Sequence, residues 1–101
     1  MHKNIEYIMV LVRRVPNKKL SWYLRCIKRL ETIVELDKNT WYLRPLPKLG
    51  DRRQYYIVRY DEKTESFTCT CYDKSAIGGS IRKLKMCTHV GAVILKLALG
   101  S

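Results

Sequence analysis

Two short pairs constrain this chain more than anything else in it: Cys69-Thr70-Cys71 and Cys87-Thr88-His89, with the fifteen residues Tyr72 to Met86 between them. On a strand, residues two apart point to the same side, so Cys69 and Cys71 present both sulfurs to one ion and form a chelating clip. The same spacing on a helix would splay Cys87 and His89 by about 200° around the axis. The consistent geometry puts Cys87 in the turn before a helix and His89 in that helix's first turn, where both reach the clip. Three thiolates and an imidazole make a closed tetrahedral set, suited to one structural Zn2+ and leaving no position for a catalytic water. Closing the intervening loop around a metal offsets much of its entropy cost, and Gly78 and Gly79 let it turn. The competing reading, core thiols plus a surface histidine, leaves the two paired spacings as coincidence.

At 101 residues the chain has room for one domain, small enough that an internal staple helps it fold. Within 1–101, residues 1–40 read as an N-terminal helical part with a first strand, and 41–101 as the zinc-binding part. Two disulfides would suit a secreted domain, but Met1-His2-Lys3-Asn4 lacks the basic, apolar and small-residue pattern of a signal peptide. The thiols are therefore expected to be reduced and the chain intracellular. The apolar run Ile8 to Val12 falls far short of the ~20 residues a membrane helix needs.

Along the chain, Ile5 to Val15 fits neither a helical nor a strand period cleanly, leaving helix or buried strand open. Pro16 ends the run, and Asn17 is the expected N-cap of the next element. From Lys18 to Glu31, Leu20, Tyr23, Leu24, Ile27 and Leu30 mark one helical face, opposite Lys18, Lys19, Arg25, Lys28 and Arg29. Cys26, on or beside the apolar face, reads as a small buried hydrophobe. Thr32 to Leu36 and Trp41 to Leu46 flank turn residues and predict a hairpin; Gln54 to Tyr60 and Ser66 to Cys71 predict a second. In the last helix Val90, Val93, Ile94 and Leu97 form the expected core stripe, while Ala92, Leu95, Ala98 and Leu99 extend apolar surface beyond it. That surplus must meet either the N-terminal segment or another chain. The expected fold is α+β: an N-terminal helical segment, two β-hairpins forming a small antiparallel sheet, and a C-terminal helix closing the zinc site.

With these elements in place, Cys69-Thr70-Cys71, a spacer, and Cys87-Thr88-His89 followed by the apolar Val90-Gly91-Ala92-Val93-Ile94-Leu95 resemble the SWIM zinc finger. The resemblance covers roughly Trp41 to Leu99, including the run-in strand Tyr55 to Tyr60. It departs at Tyr72, where a proline often follows the second cysteine, and at Thr88, where a lysine is common. The second departure removes one basic group from the site. The resemblance implies DNA or protein binding rather than catalysis. For a chain of this size it implies a recombination-accessory role, beside a RecA-like ATPase or a second copy of itself.

Charge points the same way. Twenty Lys and Arg against nine Asp and Glu give +11, and three thiolates on a divalent ion lower it by only one, so the field favours polyanions. Lys74, Arg82, Lys83 and Lys85 in the zinc loop, with Arg52 and Arg53, are the candidate phosphate contacts. The alternative for this charge is solubility or an acidic protein partner. Tyr55, Tyr56, Tyr60 and Tyr72 near Arg52, Arg53 and Arg59 read either as a stacking platform for single-stranded nucleic acid or as sheet packing. No Gly-rich phosphate loop, HExxH helix or paired-carboxylate motif is present, so no enzyme and no small-molecule substrate are expected.

Overall fold

Pro16 divides the N-terminal third into two helices. The computed structural model, which describes residues 2–72 and 86–100, has α1 over His2–Arg14 and α2 over Leu20–Arg29. The first run is a helix, and its unclear period has a physical reason. Leu11 is fully buried with Tyr7, Ile8 and Val10 packed beside it, while Ile5, Met9 and Val12 stand in solvent on another face. Asn17 does not cap α2. It takes a left-handed backbone (φ 68°), which Asn tolerates better than most residues, and Lys19 occupies the N-cap position instead. The Tyr23 hydroxyl pins this turn by donating to the Val15 carbonyl (3.0 Å) and accepting from the Lys18 N–H (3.3 Å).

The buried stripe of α2 is Tyr23, Cys26 and Arg29, at helical spacing. It is rotated from the expected face: Leu20 is exposed, and Arg29, expected among the solvated cations, is inside. A 3-10 turn, Leu30–Thr32, leads into the sheet.

Four antiparallel strands run β1 (Ile33–Asp37), β2 (Thr40–Leu43), β3 (Tyr56–Asp61) and β4 (Ser66–Cys69), paired in that order. Both expected hairpins are present, and β2 to β3 pairing joins them into one sheet. The register places Trp41 opposite Val58 and Val58 opposite Cys69, with Leu43 opposite Tyr56. These inward residues are buried and share one core with the helices, while Tyr42, Ile57, Arg59 and Thr68 alternate onto the other face.

The last helix, α3 (Thr88–Ala98), crosses α2 at Gly91, where a Cβ would stand 2.5 Å from Cys26 Sγ and 2.6 Å from the Trp22 ring. Only glycine fits that approach. Val90, Ala92, Val93 and Leu95 are buried, whereas Leu97 and Leu99 are exposed. Leu95 thus belongs to the core and Leu97 does not, which reverses the expected roles of the two. Covering by α1, α2 and the sheet accounts for most of the helix's surplus apolar surface. Among the described residues no helix is long and apolar enough to cross a membrane.

Candidate metal centre

Three elements deliver the four candidate ligands. Cys69 closes β4, and Cys71 lies in the 3-10 turn Thr70–Tyr72 rather than on the strand. The clip therefore works at a strand end, with the chain already curling: the Cys71 N–H approaches Cys69 Sγ at 3.5 Å, and Thr70 Oγ1 accepts from the Ile57 N–H at 3.2 Å. Cys87 is the N-cap of α3 in an extended conformation, and His89 stands in its first turn, as the spacing predicts. The chain enters through Met86, which is left-handed (φ 62°) and whose carbonyl accepts from Trp22 Nε1 at 3.3 Å. The Cys87 N–H donates to the Tyr72 hydroxyl at 3.1 Å, tying the two halves of the site together.

The ligand atoms of Cys69, Cys71, Cys87 and His89 all lie within 4.8 Å of one another, and all four residues are buried. The set can hold a single metal ion. Burial raises the pKa of the Cys87 thiol, but the polar groups of Cys69, Cys71 and His89 around it outweigh that and hold Cys87 well below the usual thiol range. Cys69 moves up, through its hydrogen bonding with Cys71 and Cys87 and its burial.

His89 supplies the second sign of fit. Its Nε2 faces Asp51 Oδ1 at 3.2 Å, and beside a carboxylate that nitrogen is the donor. In the neutral ring Nδ1 is then the lone-pair nitrogen, buried and without a hydrogen-bond partner. An orphaned acceptor beside three thiols is what a metal-binding imidazole looks like without its ion, since a ligating histidine gives its other N–H to a carboxylate or carbonyl. Tyr56 stacks on the ring, centroids 3.9 Å apart and planes 20° from parallel, which fixes its tilt.

Behind His89 stands an ion pair that sequence patterning misses. Asp51 receives Arg29 in a fork, 2.6 Å to Oδ2 and 3.0 Å to Oδ1, and its Oδ2 also accepts from the Leu46 N–H at 2.8 Å. Both side chains are almost wholly buried. Burial raises the Asp51 pKa, but the bonds from His89, Arg29 and Leu46 prevail and keep it a carboxylate. Arg29 Nε donates to Thr88 Oγ1 at 2.8 Å. Thr88, between the last two ligands, is therefore the anchor through which α2 grips the start of α3.

Cys26 is buried against Gly91 and stays outside the four-ligand cluster, and burial pushes its thiol pKa up, so it is a neutral core residue as expected. Arg52 and Arg53 are exposed, with their backbone N–H groups donating to the Tyr56 hydroxyl at 3.1 and 3.3 Å. Lys74, Arg82, Lys83 and Lys85 lie outside the described residues. The four tyrosines considered for stacking separate: Tyr56 stacks on His89 and Tyr72 accepts from the Cys87 N–H, both at the candidate metal centre, while Tyr60 packs on Phe67 and Tyr55 is exposed.

Compared with known proteins, the chain matches no family model, no curated protein and no solved structure.

Proposed function

We propose that this chain is a zinc-stabilised module of the SWIM type that binds DNA without catalysing a reaction, as an accessory factor in recombination or repair. The observation that carries the metal half of this reading is the buried Cys3His set with Asp51 behind its histidine. Zinc is the ion such a set selects, because thiolates and imidazole in tetrahedral array suit it and demand no redox chemistry. Cys69, Cys71, Cys87 and His89 Nδ1 would fill its coordination shell. When bound, the ion supplies folding energy and charge neutralisation. Asp51 orients the imidazole, Tyr56 covers it, and Arg29 and Thr88 hold the helix start in place.

The DNA half rests on charge. A net +11 on so small a body, with Arg25, Lys28, Arg52 and Arg53 exposed, gives a field that phosphates would neutralise. The test is fluorescence anisotropy with labelled DNA across a salt series. Affinity should fall log-linearly with salt, and replacing Arg52, Arg53, Arg82, Lys83 and Lys85 with Gln should weaken binding to every sequence and flatten that slope. Undetectable binding at low salt, or binding indifferent to salt, would remove DNA from the proposal.

One observation favours a second reading, a protein-interaction module that joins a RecA-like ATPase or a second copy of the chain. Ile5, Met9 and Val12, at spacings of four and three on α1, are exposed, as are Leu97 and Leu99 at the end of α3. Light scattering on the purified chain, alone and with such an ATPase, distinguishes the two readings.

A further inference from the structure

We infer that the outer face of the sheet is a stacking platform for single-stranded DNA, with Tyr42 and Tyr55 receiving bases and Arg59 a phosphate. This rests on the DNA-binding reading above and narrows it to one form of the nucleic acid.

The face is defined by register. Val34, Tyr42 and Ile57 form one row across β1, β2 and β3, and Thr40, Arg59 and Thr68 form the next across β2, β3 and β4. The core with its helices lies against the opposite face, so this one stands open: Tyr55 keeps 53% of its surface and Val34 54%. Tyrosines that merely pack a sheet turn inward, as Tyr56 does. Tyr55 instead lies outside, nearly parallel to Tyr42, with centroids 6.2 Å apart and planes 24° from parallel. That pair presents aromatic surface on which a base can continue the stack.

Beside it is a hollow of about 310 Å³ lined by Tyr55, Ile57, Arg59, Thr68, Cys69 and Thr70. Tyr55, Ile57 and Arg59 alternate onto this face along the chain, so an aromatic ring and a guanidinium stand four residues apart with Thr68 paired opposite Arg59, groups that suit a nucleotide's base, phosphate and sugar. Arg59 is exposed and makes no ion pair among the described residues. Arg44 stands just beyond the end of β2, and Arg52 and Arg53 run into Tyr55, so the approach to the face is basic. Of the acidic groups at the hairpin ends, Asp37 and Asp61 accept from the Asn39 and Lys63 N–H groups, and Glu62 holds Lys38 and Asn39. A duplex offers the tyrosines no free bases, because its bases are already stacked on one another along the helix. A single strand can splay them.

The test is anisotropy of a fluorescein-labelled oligo-dT strand and of a labelled duplex of equal length, with the purified zinc-loaded chain and its variants. Tyr55→Ala should lose roughly five-fold or more in single-strand affinity and Tyr42→Ala a similar amount, while Tyr55→Phe keeps it. Arg59→Gln should weaken binding and lower the salt slope by about one. Zinc content and melting temperature are measured alongside. Tyr55 and Arg59 are exposed, so their variants remain folded and informative even if Tyr42→Ala does not. Duplex bound as tightly as oligo-dT, with the tyrosine variants indifferent, would overturn the platform and leave general DNA binding standing. No binding to either form would overturn both readings.

Discussion

At the scale of single residues, Asp51 does the work that neither pair of candidate ligands can do for itself. It fixes the His89 tautomer and neutralises Arg29, both inside the protein. Asp51→Ala should therefore cost in two separable ways. Leaving Arg29 buried without its partner should destabilise the fold by about 3–5 kcal/mol, read from chemical denaturation. Losing the carboxylate behind a ligating histidine should weaken metal affinity roughly 10–100-fold, read from competition with a chromophoric chelator. Cys26→Ala offers the contrast, with full metal content retained and a smaller loss of stability from the cavity alone. The four candidate ligands were legible in the sequence because chelation is written in short-range spacing. Arg29 and Asp51 were not, because their partnership spans 22 positions and the helical period puts Arg29 among the solvated cations. A signal did exist: Arg29 continues the Tyr23, Cys26 stripe that the structure buries.

At the scale of elements, the site depends on how closely α3 lies on α2. Gly91 sets that distance, with Trp22 and Cys26 filling the space a side chain would take. Gly91→Ala should force the helices apart or shift Trp22, destabilising by about 1–3 kcal/mol in thermal or denaturant unfolding. Because Trp22 also holds the Met86 carbonyl just before Cys87, a loss of metal affinity should accompany it. The hairpins and the position of α3 were readable from turn residues and apolar spacing. Strand order was not, since nothing local distinguishes a four-stranded meander from two separate hairpins. Which face of α3 is buried was also hidden: the helix is apolar nearly all round, so only α1, α2 and the sheet decide that Leu95 lies inside and Leu97 outside. Leu95 is thus no probe of association. Met9→Glu, on the exposed side of α1, should abolish any self-association seen by light scattering and leave zinc content unchanged; association that survives this change would place the contact elsewhere.

For the molecule as a whole, the proposed function requires that one zinc ion hold the C-terminal helix to the sheet and that the fold depend on it. A chain this short buries a limited core, and four of its buried residues, three cysteines and a histidine, bring their candidate ligand atoms within 4.8 Å of one another. Structural zinc in such a setting contributes folding energy directly, because the site does not exist in the unfolded chain. The most direct measurement is elemental analysis of the purified protein combined with thermal melting before and after chelation. The expected result is one zinc per chain, loss of the cooperative melting transition when zinc is removed under reducing conditions, and its return on adding zinc back. A chain free of metal, or one whose melting curve is unchanged by chelation, would contradict it.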